Sequence, residues 1–179
     1  MTKRADDFDL EGFLPYLLNQ AAEATSRAFQ AVYRDRYGMT RTQWRVLAHL
    51  GQFGDMTARD ICARSHIEKT KVSRAVAALE AEGMLTRAPS PEDGRAEILS
   101  LTRKGRAAYS ALGALARAHD RELRGAVGAE ASARLDEGLR RVLDVHPRPP
   151  GFPGRNSLRF SGGIPRKNSV TISVRKSSP

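Results

Sequence analysis

The chain has 179 residues, 40% of them hydrophobic and 28% charged, with 30 Lys and Arg against 20 Asp and Glu for a net charge of +10. That composition is ordinary for a folded domain, and no apolar run approaches the ~20 residues that span a bilayer, so no membrane partner is expected. A single cysteine, Cys62, excludes an internal disulfide framework. The opening Met1-Thr2-Lys3-Arg4-Ala5-Asp6-Asp7 turns acidic without an apolar core, so no secretory signal is expected and the expected compartment is the cytoplasm.

In chain order, residues 8–36 predict a long helix, because Phe13, Leu14, Leu17, Leu18, Ala21, Ala24, Ala28 and Val32 recur at three- and four-residue spacing. Pro15 falls in its first turns, where proline is tolerated, and Gly38 closes it. Thr40-Arg41-Thr42-Gln43 has the form of a capping box. It opens a helix to about Leu50, with Trp44, Leu47, His49 and Leu50 expected inward and Gly51 and Gly54 expected to end it. Thr57-Ala58-Arg59-Asp60 repeats the capping pattern with a shorter acid, and a short helix to about Arg64 is expected to bury Ile61 and Cys62. Ser65-His66-Ile67 turns the chain into a helix over about 68–82, where Val72, Val76 and Leu79 form one apolar stripe and Gly83 is placed to end it.

The hydrophobic period then changes. Met84-Leu85-Thr86-Arg87 and Glu97-Ile98-Leu99-Ser100-Leu101 are short apolar segments around Pro89-Ser90-Pro91-Glu92-Asp93-Gly94-Arg95, which is turn chemistry. This predicts a two-stranded hairpin with a projecting tip. Thr102 caps a helix to about Arg124, with Tyr109, Leu112, Ala116, His119 and Leu123 at near-heptad spacing and Gly125 and Gly128 as breakers. A last helix covers about 129–145, with Leu135, Leu139, Val142 and Leu143 in line. Residues 147–179 form a basic Pro/Gly/Ser-rich tail, expected to be disordered. The tail holds seven bases and no acid, which leaves residues 1–146 with 23 bases against 20 acids, a net of +3. Basicity favours a polyanionic partner, but here it belongs mostly to the tail, and the functional argument rests on the motifs.

The expected fold class is mainly α with a small β-hairpin, in the order of a winged helix-turn-helix domain. A helix of about 15 residues fits the major groove of double-stranded DNA. With the apolar stripe inward, the opposite face of 68–82 presents Thr70, Ser73, Arg74 and Ala77, flanked by Lys69 and Lys71. Arginine forks onto guanine, hydroxyls bond bases or phosphates, and lysine suits phosphate. Asp93-Gly94-Arg95 sets a long cation on a tight turn, from which Arg95 reaches the narrow minor groove with Asp93 to orient it. Residues 55–101 hold seven bases and eight acids, so positive potential has to come from arrangement, with Glu80 and Glu82 turned away from DNA. Taken singly, these residues also suit an ordinary solvated surface. The near-neutral balance leaves two alternatives: a winged-helix protein-interaction module, and a non-specific DNA binder driven by the basic tail.

Four segments together carry a family resemblance. Thr42-Gln43-Trp44-Arg45-Val46-Leu47, the run from Lys71 to Leu85, Asp93-Gly94-Arg95, and Leu101-Thr102-Arg103-Lys104-Gly105 resemble, in this order, the MarR family of winged-helix regulators. The last two match its D-x-R wing element and its L-T-x-x-G start of the long dimerisation helix. The resemblance covers roughly residues 8–146 and leaves the tail outside. It implies one domain over 1–146, with dimerisation helices at 8–36 and 102–145 and the DNA-binding unit at 40–101. It also implies a homodimer, a pseudo-palindromic operator, repression, and release of DNA by a small aromatic or acidic effector. Tyr16, Asn19, Trp44 and Arg45 are candidate effector contacts, with core packing or dimer contact as the alternative for Trp44 and Tyr16.

Cys62 on the apolar side of a short helix reads as a small buried hydrophobe rather than a redox switch. His49, His66, His119 and His146 stand apart from any carboxylate or cysteine at ligand spacing, so no metal is expected. No G-x-S-x-G, P-loop or H-E-x-x-H motif is present, and neither catalysis nor a cofactor is expected.

Overall fold

The structure, a computed structural model, describes residues 8–91 and 95–145. The tail at 147–179 and Asp93 lie outside the described residues.

Helix α1 spans Leu14–Tyr37, starting later than the spacing predicts, with Pro15 in its first turn. Gly38 ends it in the left-handed conformation at φ 64°, its N–H donating to the Arg34 carbonyl at 2.7 Å. The helix carries two apolar faces. Phe29 and Tyr33 are buried, whereas the leading residues of the predicted stripe, Phe13, Leu14 and Leu17, are exposed.

Helix α2 spans Arg41–Phe53 behind the expected capping box: the Gln43 N–H donates to Thr40 Oγ1, and the Thr40 N–H donates to Gln43 Oε1 at 2.7 Å. It buries Gln43, Val46, Leu47 and Leu50, while Trp44 and His49, expected inward, are only half-buried. Gly51 does not end this helix. A Cβ at Gly51 would collide with the ring of Tyr109, so this glycine allows close packing rather than termination.

The residues Met56–Thr57 form strand β1, which the periodicity does not predict. Helix α3 spans Ala58–Ser65, its Thr57–Asp60 capping box intact despite the shorter acid. Ile61 is fully buried, but Cys62 is half-buried rather than buried as expected. Helix α4 spans Lys69–Ala81 and buries Val72, Ala75, Val76 and Leu79. Gly83, at φ 67°, completes its end, with the Met84 N–H donating back to the Leu79 carbonyl at 2.8 Å.

Strands β2, Leu85–Pro89, and β3, Glu97–Leu101, form the expected antiparallel hairpin, and β1 adds to the far side of β3 for the order β1-β3-β2. Register places Leu85 opposite Leu101, Arg87 opposite Leu99 and Met56 opposite Leu99. Helix α5 spans Arg103–Val127 and helix α6 spans Ala129–Val145. Gly125, expected as a breaker, lies inside α5, and Gly128 ends it.

One core joins these elements. Leu47, Ile61, Val72, Val76, Leu79, Leu85, Leu99 and Leu112 are all under 2% exposed. Burying such a side chain is worth about 1.5–3 kcal/mol each, so α4 is held on its apolar stripe and its outer face is left to solvent.

Candidate nucleic-acid interface

Helices α3 and α4 form the helix-turn-helix. The turn is made by His66, which ends α3 in the left-handed conformation at φ 54°. Arg45 of α2 fixes the same turn by donating Nη2 to the Ser65 carbonyl at 2.6 Å. Burial lowers the Arg45 pKa, with the Arg41 cation a second cause. Glu68, at the N-cap of α4, makes no side-chain cap bond. An uncapped helix start with its positive dipole end favours an anion such as phosphate.

Lys69, Thr70, Lys71, Ser73 and Arg74 are all exposed on α4. By the helical period Thr70, Ser73 and Arg74 fall opposite the buried Val72, Val76 and Leu79, and Lys69 and Lys71 flank that outer face. Lys71 Nζ lies 3.1 Å from Glu68 Oε2, but both side chains are mostly exposed, and such a pair yields readily to a phosphate.

The wing projects beside α4. The Ser90 N–H donates to the Ala96 carbonyl at 2.9 Å beyond the last strand pair, and Arg95 is exposed at the described edge of the tip.

Sequence reasoning misses the residue that ties wing to helix. Arg87 of β2 donates Nε to Glu80 Oε2 of α4 at 2.8 Å and Nη1 to Glu97 Oε2 of β3 at 3.1 Å. Glu97 pairs with Pro89 in register, so it lies diagonal to Arg87 on the same sheet face. Both carboxylates raise the Arg87 pKa further, the Glu97 hydrogen bond being the largest cause. One guanidinium therefore holds two of the segment's carboxylates, and the cluster keeps a net charge of only −1.

The start of α5 locks against the α4–β2 junction. Thr102 caps α5 by accepting from the Gly105 N–H at 3.1 Å, and its own hydroxyl donates to the Gly83 carbonyl at 2.7 Å. The Thr102 N–H donates to the Met84 carbonyl at 3.0 Å, and Lys104 Nζ donates to the Glu82 carbonyl at 2.7 Å. Gly105 packs so closely that a Cβ there would overlap the Met84 carbonyl oxygen. The Leu-Thr-x-x-Gly segment is thus a docking device: threonine supplies the bonds and glycine the clearance.

A second feature lies between α1 and α2. Ala22, Ser26, Phe29, Tyr33, Arg41, Trp44 and Arg45 line a cavity of about 450 Å³. Trp44 and Arg45 are predicted effector contacts, whereas Tyr16 and Asn19, nearer the start of α1, are not among the lining residues. Phe29 and Trp44 have ring centroids 5.7 Å apart, and Tyr33 stacks on Trp44 at 6.2 Å. Phe29 and Tyr33 escape the periodicity because the predicted α1 stripe lies on another face of that helix, and Arg41 of α2 because its partner Glu23 is 18 residues away. Burial pushes the Cys62 thiol pKa up, which disfavours the reactive thiolate.

A helix-turn-helix followed by an antiparallel wing and framed by long helices defines a winged helix-turn-helix protein. Residues 37–96 match the MarR family. The solved MarR family transcriptional regulator SPO1453 from Silicibacter pomeroyi DSS-3 is 34% identical, and the match covers 79% of this chain and 100% of that one with a TM-score of 0.69. The homoprotocatechuate degradative operon repressor of Escherichia coli is 29% identical over 97 residues, which is 54% of this chain and 65% of the repressor's length. The Bordetella bronchiseptica protein BpsR, whose DNA binding is regulated by 6-hydroxynicotinic acid, shares the fold at a TM-score of 0.66, with 22% identity over 76% of this chain and 96% of its own. The chain belongs to the MarR family of transcriptional regulators.

Proposed function

We propose that the protein binds a pseudo-palindromic operator as a homodimer, represses the adjoining genes, and is released by a small aromatic or acidic effector. The outer face of α4 carries this reading, because Lys69, Thr70, Lys71, Ser73 and Arg74 are exposed together on a helix whose apolar side is fixed in the core. Thr70, Ser73 and Arg74 read or position the major groove, and Lys69 and Lys71 neutralise phosphate. Arg95 enters the minor groove from the wing, with Asp93 to orient it.

The homodimer is supported by apolar surface left uncovered in one chain. Phe13, Leu14 and Leu17 at the start of α1 are at least 45% exposed, and Leu135 and Leu143 of α6 are each 52% exposed. Contiguous apolar surface of this kind marks an interface. The effector reading is supported by the α1–α2 cavity, where aromatic rings and two arginines suit a small aromatic acid. It is supported too by a protein of the same fold whose DNA binding 6-hydroxynicotinic acid regulates. Such a regulator acts in the cytoplasm.

The test is fluorescence anisotropy with DNA from upstream of the protein's own gene beside a scrambled duplex at near-physiological salt. The full chain and a version ending at His146 are compared. The account predicts selective binding that survives loss of the tail. Equal binding to both duplexes, lost with the tail, would instead establish non-specific binding.

A further inference from the structure

One carboxylate of the winged-helix unit stands where DNA is proposed to bind, and the fold does not explain it. Of the eight acids in residues 55–101, Asp60 completes the α3 capping box, and Glu80 and Glu97 are held by Arg87. Glu80 and Glu82 lie at the far end of α4. Glu68 lies at its start, and the first residues of the second helix in a helix-turn-helix are those that meet base edges. An N-cap side chain stabilises a helix by accepting from its first N–H groups, and Glu68 makes no such bond. It pairs instead with Lys71 at 3.1 Å, the two side chains being 71% and 63% exposed, and such a pair adds little to stability. The helix dipole favours an acid at this end, but it favours a phosphate there as well. Beside a polyanion, a carboxylate in this place costs affinity unless the DNA itself supplies a donor.

We infer that Glu68 is a specificity-determining residue, which accepts a hydrogen bond from the N4 amino group of a cytosine in each half-site. The inference rests on the DNA-binding reading above and assigns one base of the operator. It begins with Lys71. When a phosphate takes the Lys71 ammonium, Glu68 loses its partner and is left as a carboxylate at the major groove. Cytosine offers it an amino donor alone, and adenine offers one beside the N7 acceptor. Guanine presents two acceptors, and thymine a carbonyl and a methyl group. An ionised carboxylate has only acceptors, so cytosine suits it best, adenine less, and guanine and thymine are rejected. Glu68 thus selects by exclusion. Its repulsion from phosphate is the same on every sequence, and only the correct base offsets it. Thr70, Ser73 and Arg74 act from the outer face of α4, and Glu68 acts from its end.

The amide isostere gives a readout that a merely structural role does not move. Glutamine carries an acceptor and a donor, which fork onto adenine N6 and N7. The full chain, Glu68→Gln and Glu68→Ala are each used to select binding sites from a pool of random duplex DNA. The selected site is then varied one base pair at a time and followed by fluorescence anisotropy. The parent protein is expected to prefer cytosine at one position of each half-site by about fivefold or more. Glu68→Gln is expected to change that preference to adenine, and Glu68→Ala to lose it, with the preferences at every other position kept. Circular dichroism checks that both variants fold, and either one carries the test if the other does not. Base preferences that stay the same in the variants, even where every duplex is bound more tightly, overturn the inference and leave the DNA-binding reading standing. A parent protein that selects no sequence overturns that reading, and the inference with it.

Discussion

Gly105→Ala is expected to be among the most damaging single-methyl changes in the protein, and its cost follows from one contact. The new Cβ would overlap the Met84 carbonyl oxygen, a backbone atom that no side-chain rotation relieves. The start of α5 has to retreat by on the order of 1 Å to reach ordinary contact distance. That retreat stretches the Thr102 N–H bond to the same carbonyl, now 3.0 Å, and the Thr102 hydroxyl bond to the Gly83 carbonyl, now 2.7 Å. Overpacking costs about 1–3 kcal/mol, and weakening one or two hydrogen bonds adds about 1 kcal/mol. The expected loss is therefore about 3 kcal/mol, which in a chain of this size lowers the melting temperature by roughly 6–12 °C. Thermal melting followed at the helical circular dichroism band measures it, with Gly113→Ala in the same helix as the control. There the nearest atom to the new Cβ is Arg117 Nη1 at 3.7 Å, and the exchange should be neutral or stabilising. A Gly105→Ala protein that melts with the parent would refute the docking role of the Leu101–Gly105 segment.

Other consequences are open to measurement. Arg87→Gln should cost no more than about 1 kcal/mol of stability, since Glu80 and Glu97 are 42% and 57% exposed. Operator affinity should nevertheless drop about threefold to tenfold as two carboxylates are unmasked beside the DNA; anisotropy unchanged from the parent would show that the clamp does not serve DNA binding. Arg95→Ala should lose about 1–3 kcal/mol of specific affinity if it contacts a base, and equal affinity would remove the wing tip from the interface. His49 makes stability depend on pH. Burial pushes its imidazole below 6.5 and the Arg45 and Arg64 cations push the same way, against the opposing hydrogen bond to the Arg45 carbonyl. The unfolded chain thus binds the proton first, so this stability is full above 6.5 and is lost as pH falls toward the lower folded value. Melting temperature should fall between about pH 7 and pH 5, and His49→Gln should flatten that slope; an unchanged slope would assign it to other groups.

What was legible in the sequence is what local chemistry decides. Thr40, Thr57 and Thr102 announce three helix starts because a threonine hydroxyl meets an N–H three residues on, and each does so here. Val72, Val76 and Leu79 orient α4, and with it the five polar residues of the proposed DNA surface, because a helical period leaves one solution. What was not legible depends on partners distant in sequence. Gly51 and Gly125 look like terminators but lie inside helices, Gly51 because Tyr109 from α5 fills the space a side chain would take. Two residues, Met56 and Thr57, become a strand only because β3 offers them an edge. The Arg87 clamp joins three elements, and the Arg41–Glu23 pair joins residues 18 apart across two helices. No periodicity encodes such pairs. The apolar stripe of α1 is helical as its spacing predicts, but much of it lies outside the core, and a second face bearing Phe29 and Tyr33 packs inward.

The central claim is that the outer face of α4 reads sequence, and Arg74→Ala tests it most directly beside Lys69→Ala. Each is measured against the selected operator and a scrambled duplex over a range of salt. The account predicts that Arg74→Ala lowers the specific-to-scrambled affinity ratio, with about 1–3 kcal/mol lost on the operator alone. Lys69→Ala should weaken both duplexes alike and reduce the salt slope by about 1. If Arg74→Ala leaves the ratio unchanged and behaves like Lys69→Ala, α4 holds only phosphate and the source of specificity lies elsewhere.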